Sequence, residues 1–308
     1  MRITLIRHGE SESNVTGHWQ GQGDSPLSPL GREQAQLLSR RLASAHFDHL
    51  VGSDLSRARD TGVAVASRHG RTLQTDPVWR EINVGEWEGL TRDQVAERFP
   101  KQVEALARGE MIKIGGGESW ADLGNRALEA LEDLRARMKA NEHAAVFCHG
   151  GVIGAVVTQL FGLEPRRPRR LGNVNNTAIT TLSFEPGQTR LERYNDTLHL
   201  GPVGKWGTQR LANGCTVVSL WSDEAPANYE VPKVLHESAA VPEGADPMEW
   251  LAGKHPGERV ALQAPADRIA AITEEILTPE VAGAPRGVTH IVASERGHTL
   301  ASLHCGPV

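Results

Sequence analysis

Short apolar segments alternate with amphipathic ones along the first 200 residues. Residues 3–6 are all apolar or small, which is typical of a short buried strand. Between such segments the apolar positions recur at helical spacing, as at Ala35, Leu38 and Leu42 on one predicted helix face. This alternation predicts a doubly wound α/β domain over residues 1–200, with a mostly parallel sheet and helices on both faces. Its further strands are predicted at 49–52, 144–148, 177–184 and 190–194, the last two as paired edge strands.

Capping residues mark where the predicted helices begin. Ser28 is followed by a proline, and this pair is typical of the cap and first turn of a helix. Ser119 and Asp122 have the spacing of a capping box. Thr91 caps a short helix that Pro100 is expected to end. Two more helices are predicted at 55–68 and 152–161.

The pattern changes after residue 200. Residues 201–213 contain repeated glycines and little periodicity, which predicts a linker. Beyond it, a small α+β domain is predicted over 214–308. Gly297 lies in a four-residue segment, 295–298, that suits a hairpin turn. The elements predicted around it are strands at 216–221, 259–263, 288–293 and 299–304, a helix at 266–277 and a short helix at 248–251.

Composition describes an ordinary globular protein of 308 residues, with 39% hydrophobic and 23% charged residues. No apolar run approaches the length of a membrane span, so we expect no membrane association. The first strand begins next to the N-terminus, which leaves no room for a signal peptide. Three cysteines are too few for a disulfide framework, and a cytoplasmic location is therefore predicted.

Charge is unevenly distributed along the chain. Residues 213–308 hold six Lys and Arg against thirteen Asp and Glu, whereas residues 1–212 hold 27 against 25. The mildly cationic first part suits an enzyme that handles anions, and the acidic last part argues against nucleic acid as a partner. Three roles stay open for residues 214–308: the interface of a homodimer, a lid, or a docking site for a basic partner.

Two predicted strands end in a histidine and a glycine. Arg7, His8 and Gly9 follow the first apolar run, and His149 and Gly150 follow the run at 144–148. Ligands of open α/β sheets bind at the carboxyl ends of strands, and glycine lets the backbone turn sharply and approach a ligand closely. A guanidinium beside an imidazole suits an oxyanion, above all a phosphate.

Four segments together resemble the histidine phosphatase superfamily, which includes the cofactor-dependent phosphoglycerate mutases. They are residues 5–10 (LIRHGE), 53–58 (SDLSRA), 80–89 (REINVGEWEG) and 144–151 (AAVFCHGG), and they occur in the family's order. The resemblance covers about residues 1–200 and implies a phosphoglycerate mutase-like fold for them. It does not extend to the last hundred residues.

The resemblance implies roles for five residues. His8 is the expected nucleophile, with one ring nitrogen aimed at phosphorus and the other donating a hydrogen bond to a backbone carbonyl. Arg7 and Arg57 are the expected phosphate clamp, and His149 is expected to bind phosphate in its protonated form. Glu81 is the expected general acid, which protonates the leaving oxygen and later activates water.

Rivals and secondary positions stay open. Glu86 and Glu88 are alternatives to Glu81 as the acid, although they also suit a role beside the turn that contains them. Four further positions are expected to contact phosphate or substrate, although either asparagine among them would equally suit a turn. These are Asn14, Gln20 and Gly21 after the nucleophile, and Asn176, where relatives place a substrate-side asparagine.

We therefore expect a metal-independent phosphomonoesterase, a hydrolase that acts on a small phosphorylated metabolite through a phosphohistidine. No cofactor and no metal is expected, because two histidines and two arginines supply the cations; His46 and His49 have no third ligand placed with them. Phosphoglycerate mutase-type transfer is one alternative, and a non-catalytic phospho-ligand-binding scaffold is another. Residues 85–89 resemble phosphatase members more than mutases, and the segment from Glu88 to Gly117 is short for a mutase lid.

Overall fold

The computed structural model describes residues 1–163, 170–200, 216–221, 234–236, 241–242, 244–255, 258–276, 288–294 and 297–305. The chain forms two compact units. The first comprises Met1–Gly162 and Asn176–Ile179, and the second comprises Leu163–Asn175 and Thr180–Val308. No helix among the described residues has the length and apolar character that a membrane span requires.

A parallel sheet forms the centre of the first unit. Its strands are β1 (Arg2–Arg7), β2 (His49–Gly52), β3 (Gln74–Thr75) and β4 (His143–Cys148). They lie in the order β3-β2-β4-β1, and each neighbouring pair is parallel. The predicted parallel α/β sheet is thus confirmed. The strand β4 is buried from Ala144 to Cys148, because helices cover a parallel sheet.

Helices flank this sheet in sequence and pack in pairs, α2 on α3 and α6 on α7. Side-chain caps begin several of them, and the caps predicted at Ser28, Thr91 and Ser119 are confirmed. Pro100 does not simply end a helix. It occupies the first turn of the next one, where a missing N–H costs nothing. The helices are α1 (Glu12–Thr16), α2 (Pro29–Arg41), α3 (Ser56–Arg68), α4 (Arg92–Arg98), α5 (Pro100–Ala107), α6 (Trp120–Ala136) and α7 (Gly150–Leu160).

An apolar core joins α2 and α3 to the sheet. The predicted buried face of α2 is confirmed, since Ala35, Leu38 and Leu42 are all almost fully buried. This core holds the strand ends in place, because a close-packed interior resists displacement of its backbone. Its members are Ile6, Leu38, Leu42, Phe47, Leu50, Val65, Ala66, Ala145, Phe147 and Ile179.

The second unit contains a mixed sheet. Its strands are β5 (Ile179–Glu185, whose first residue belongs to the first unit), β6 (Gln188–Asp196), β7 (Thr216–Trp221), β8 (Val234–His236), β9 (Arg259–Gln263), β10 (Val288–Ser294) and β11 (Gly297–Cys305). They lie in the order β5-β6-β11-β10-β7-β9-β8. Two helices, α8 (Pro247–Lys254) and α9 (Ala266–Ile276), accompany them.

The pairing of β5 with β6 and of β10 with β11 was expected, and it is observed. The prediction that β6 is an edge strand is wrong, because β11 pairs antiparallel along its other side through Leu303 and Tyr194. A contact between residues more than a hundred positions apart leaves no local signal in the sequence.

The predicted division of the chain at residues 201–213 stays a prediction, since that linker lies outside the described residues. The compact units themselves group β6 with the later strands. Residues 295 and 296 of the predicted hairpin turn also lie outside the described residues.

Candidate active site

The carboxyl ends of β1 and β4 lie side by side. The parallel register pairs Arg7 with Cys148, so that the next residues, His8 and His149, leave the sheet together. The His8 amide donates to the carbonyl of Cys148 at 3.0 Å, and the two imidazole centroids are 5.2 Å apart. The structure therefore brings together the two histidines that the sequence singled out.

The geometry of His8 fixes its tautomer. Nδ1 lies 2.6 Å from the carbonyl oxygen of Gly9, and a carbonyl can only accept, so Nδ1 carries the hydrogen. Nε2 has no hydrogen-bond partner in the described part of the chain and keeps its lone pair. Burial first, and then the charges of Arg57 and Arg7, hold the pKa of His8 well below its usual range. The ring is neutral at neutral pH.

Gly9 allows a close approach, but to another part of the chain. A Cβ at this position would lie 2.5 Å from the carbonyl oxygen of Gly31, in the first turn of α2. The sequence predicted that this glycine admits a ligand. Instead it lets the start of α2 pack against the residue after His8.

His149 is fully buried, and its Nε2 lies 3.0 Å from the hydroxyl of Ser53. Burial, followed by the charges of Arg57 and His8, holds the pKa of His149 well below its usual range. These surroundings favour a neutral ring, and the protonated form expected beside a bound phosphate stays a prediction. A phosphate dianion beside the ring would act in the opposite direction and raise this pKa.

Arg57 is held by a glycine-rich loop. It lies in the first turn of α3, is 1% exposed, and donates to the carbonyls of Gly23 and Gly21 at 2.9 Å each. Each terminal nitrogen retains a second N–H for another acceptor. Burial lowers the pKa of Arg57 to about 10, so the guanidinium stays charged at neutral pH.

Arg7 runs beside the start of α7. A Cβ at Gly150 would lie 3.4 Å from Cδ of Arg7, which is the distance of ordinary packing. Burial lowers the pKa of Arg7, and the nearby charge of Glu81 opposes that shift. Both predicted clamp arginines thus share the histidines' surroundings.

Glu81 has its carboxylate fixed by backbone amides. The Gly151 amide, in the first turn of α7, donates to Oε2 at 2.9 Å, and the Ile82 amide donates to Oε1 at 2.9 Å. A Cβ at Gly151 would lie 2.2 Å from Oε1, so a larger residue there would displace the carboxylate. The second glycine after His149 thereby brings the acid candidate to the helix that follows the histidine.

The two rival carboxylates are placed differently. Both oxygens of Glu88 accept from the Gly21 amide at 3.1 Å, and Oε2 also accepts from the Gly23 amide at 3.0 Å. Glu88 therefore binds the amides of the loop whose carbonyls bind Arg57. Glu86 is exposed. The amide of Gly21, expected at the phosphate, is engaged by Glu88 instead.

Asn176 and Asn14 form a polar link to His8. Nδ2 of Asn176 donates to the His8 carbonyl at 3.1 Å and to Oδ1 of Asn14 at 3.3 Å. Asn14 also completes the capping box of α1 with Ser11, whose hydroxyl donates to Oε1 of Gln20 at 2.9 Å. Nε2 of Gln20 is buried and has no partner in the described residues. These three predicted residues thus form one network beside His8.

Thr177 was not predicted, and it is strained. It has a φ of 55°, which is uncommon for a β-branched residue, and it is fully buried. Its amide donates to the His8 carbonyl at 3.2 Å, and its hydroxyl donates to the carbonyl of Asn176 at 2.8 Å. Strain of this kind persists where surrounding structure enforces it, often at functional sites.

Sequence reasoning also missed the hydrogen bond from His149 to Ser53 and the residues that hold the Glu81 backbone, Arg126 and Glu118. Ser53 lies inside a recognised segment, so its motif offered a signal. Arg126 lies on α6, eight positions after Glu118, and nothing in the sequence distinguishes it from a surface cation.

The described residues contain no cluster of three or more metal-ligating side chains. His46 and His49 do not converge, since His46 contacts Asp48 at 3.2 Å and His49 contacts Glu142 at 2.8 Å. Each is satisfied by its own carboxylate.

Curated relatives align with 65% of this chain. A curated relative, the probable phosphoglycerate mutase GpmB of Yersinia enterocolitica, is 32% identical over 210 residues, which are 65% of this chain and 95% of the relative. The corresponding protein of Yersinia pestis is 31% identical over 206 residues, again 65% of this chain and 95% of the relative.

Solved structures extend the similarity to the fold. The mycobacterial glucosyl-3-phosphoglycerate phosphatase is 33% identical with a TM-score of 0.55, over 59% of this chain and 92% of that one. A putative α-ribazole-5'-phosphate phosphatase of Escherichia coli is 25% identical with a TM-score of 0.55, over 62% of this chain and 94% of that one. The expected phosphoglycerate mutase-like α/β fold is confirmed. Residues 3–197 match the family model of the histidine phosphatase superfamily (branch 1), and the chain belongs to that superfamily.

Proposed function

We propose that this chain is a metal-independent phosphomonoesterase that works through a phosphohistidine on His8. The observation that carries the proposal is the state of that ring. Its Nδ1–H is bound to the Gly9 carbonyl, its Nε2 lone pair is unpartnered in the described residues, and its surroundings keep it neutral. A neutral imidazole beside two guanidinium groups suits attack on a phosphate dianion.

The first step forms a bond from Nε2 to phosphorus and breaks the bond from phosphorus to the leaving oxygen. Protonated Glu81 gives its proton to that oxygen, and the alcohol departs. The ring then carries a positive charge, which the Gly9 carbonyl at 2.6 Å from Nδ1 stabilises. Arg7 and Arg57 balance the charge of the transferred group.

The second step is hydrolysis. The Glu81 carboxylate takes a proton from water, whose oxygen bonds to phosphorus as the P–N bond breaks. Phosphate leaves, and both the neutral His8 and the protonated Glu81 are restored. His149, whose ring centroid lies 5.2 Å from that of His8, is proposed to bind the phosphoryl oxygens.

The proposed substrate is a small phosphorylated metabolite. Two similar solved structures are named for phosphatases of glucosyl-3-phosphoglycerate and of α-ribazole-5'-phosphate, both small phosphomonoesters. The short segment between Glu88 and Gly117 also favours entry of water over capture of a second hydroxyl. Hydrolysis is therefore our first choice.

Mutase-type transfer is the second candidate, because curated relatives at 31–32% identity are named as probable phosphoglycerate mutases. Both activities begin with the same phosphohistidine and differ only in the acceptor. Incubation with 3-phosphoglycerate separates them: a mutase yields an isomer, whereas a phosphatase yields free phosphate and glycerate.

The proposal predicts hydrolysis of small phosphomonoesters without added metal. The test measures phosphate release from a panel of these compounds after exhaustive chelation. Wild-type protein should be active, and His8→Ala should be inactive while remaining folded. His46→Ala is the matched control, since that side chain is 85% exposed and its loss should change nothing. Acid-labile, base-stable label trapped during turnover should map to His8. Full activity in His8→Ala would overturn the mechanism, and activity that returns only with added Mg²⁺ or Zn²⁺ would overturn metal independence.

A further inference from the structure

Arg126 binds the backbone that carries Glu81. This residue lies on α6, and its guanidinium reaches the turn that precedes the acid candidate. Nη1 donates to the carbonyls of Val78 at 2.8 Å and Arg80 at 2.9 Å, and Nη2 donates to the carbonyl of Glu81 at 3.2 Å. One side chain thus fixes three carbonyls within four residues.

Glu118 completes the arrangement from the other side. Its carboxylate accepts from Nε of Arg126 at 2.9 Å and from Nη2 at 2.8 Å. It also accepts from the backbone amide of Asn83 at 2.8 Å. The backbone is therefore held both at Glu81 and two residues after it, by one ion pair.

The donor count explains why the side chain is arginine. A guanidinium has five N–H groups, and Arg126 makes five hydrogen bonds, three to carbonyls and two to Glu118. Lysine has three donors on a single nitrogen and cannot reproduce this planar array. These carbonyls belong to half-buried residues, and each loses a donor when Arg126 is replaced, so the turn would relax. The Glu81 carbonyl keeps one other donor, Nε2 of Gln22 at 3.2 Å.

We propose that Arg126, together with Glu118, is a positioning residue that holds the Glu81 carboxylate at the distance that proton transfer requires. This inference rests on the proposed function, in which Glu81 is the acid. Within the described part of the chain, the Glu81 carboxylate is held by two hydrogen bonds, from the backbone amides of Ile82 and Gly151. Arg126 itself does not contact the carboxylate in any of its five bonds and acts through the backbone.

A positioning role and a merely structural role of Arg126 differ in which substrates are turned over more slowly when the residue is replaced. An aryl phosphate has a good leaving group and needs little acid catalysis, whereas an alkyl phosphate depends on it. Misplacement of a catalytic group by about 1 Å can cost about 10²-fold in rate. A structural defect would reduce turnover of both substrates alike.

The experiment compares kcat on p-nitrophenyl phosphate and on glycerol phosphate for the full chain. Arg126→Gln should lower kcat on glycerol phosphate about 10²-fold and change the aryl rate far less, with KM nearly unchanged. Arg126→Lys should not restore kcat on glycerol phosphate. The double variant Glu81→Gln/Arg126→Gln should be no slower than Glu81→Gln alone, because two changes to one function are not additive. Arg108→Gln is the matched control, since Arg108 makes an exposed pair with Glu110.

The outcomes are separable. If Glu81→Gln is selective for the alkyl substrate but Arg126→Gln slows both equally, this inference is wrong and the acid assignment stands. If neither variant is selective, Glu81 is not the acid, and both the assignment and the inference fall. Should Arg126→Gln not fold, Glu118→Gln provides the same test, since it keeps the shape and removes the charge. A selective loss supports positioning, and an equal loss overturns it.

Discussion

At the scale of single residues, the protonation states of two buried histidines link the chemistry of the site to its stability. His8 and His149 both have a pKa depressed by burial first and then by neighbouring cations. In the unfolded chain each would titrate near the ordinary value of about 6.5. Folding therefore requires two rings to be neutral in a range where the unfolded chain would protonate them.

This depression predicts a pH dependence of stability. Below about pH 6.5 the unfolded state binds more protons than the folded state, so the free energy of unfolding falls as pH falls. Above that pH both states are neutral and the contribution is constant. Denaturant melts of wild-type protein and of His149→Gln between pH 5 and pH 8 check this, and His46→Gln is the exposed control. A variant that lost as much stability on acidification as the wild type would contradict the assignment to His149.

Residues also mark where sequence reasoning reached its limit. The strand-end histidines, both arginines and Glu81 could be found because each belongs to a local segment with its own pattern. Arg126 and Thr177 could not. Arg126 acts through backbone carbonyls, which every residue has. Thr177 is distinguished by its positive φ angle, which its residue type does not predict.

At the scale of elements, the first turn of α7 serves two functional side chains at once. His149 precedes the helix, and the amide of Gly151 binds the Glu81 carboxylate. A helix N-terminus favours a carboxylate through its free amides and its dipole. The absence of a side chain at Gly151 is what allows the carboxylate to reach them.

Gly151→Ala is therefore expected to act through Glu81. Its Cβ would lie 2.2 Å from Oε1, so the carboxylate must move, and turnover of an alkyl phosphate should fall about 10²-fold. Turnover of an aryl phosphate should fall less. Gly154→Ala in the same helix is the matched control, because a Cβ there meets nothing within 4 Å and alanine favours the helix. Equal rates for both variants would contradict this account.

Elements were also the level that the sequence predicted best. Apolar runs identified β1, β2 and β4, and capping residues identified α2, α4 and α6, because both signals are local. The strand β3 was missed because two residues cannot show a period, and the helix α5 was missed because it begins without a side-chain cap. The edge position predicted for β6 is wrong, because its pairing with β11 depends on a distant segment.

At the scale of the whole molecule, the site proposed for phosphoryl transfer belongs to one unit. All five residues given a role in the chemistry lie in the first unit: Arg7, His8, Arg57, Glu81 and His149. The acidic part of the chain contributes none of them. What residues 214–308 do stays open, with a homodimer interface, a lid and a basic partner as the proposals.

A chain that stops after Ala212 should therefore retain most of its activity on p-nitrophenyl phosphate. It should also be less soluble, because β6 loses β11 and exposes an unpaired edge. Activity per folded molecule, measured alongside light scattering, checks both expectations. Soluble, folded, truncated protein without aryl phosphatase activity would place part of the active site in the removed region.

The first unit is discontinuous in sequence, and this has a consequence for synthesis. Asn176–Ile179 belong to the first unit, whereas the residues just before them belong to the second. They form backbone hydrogen bonds with Arg7 and His8. A nascent chain that ends before Asn176 lacks those hydrogen bonds, however well its helices have formed. At ribosomal rates of about 5–20 residues per second, the surroundings of His8 stay incomplete for roughly ten seconds or more after its own synthesis. Residues made early in this unit thus belong to a site that is among the last parts of the unit to be completed.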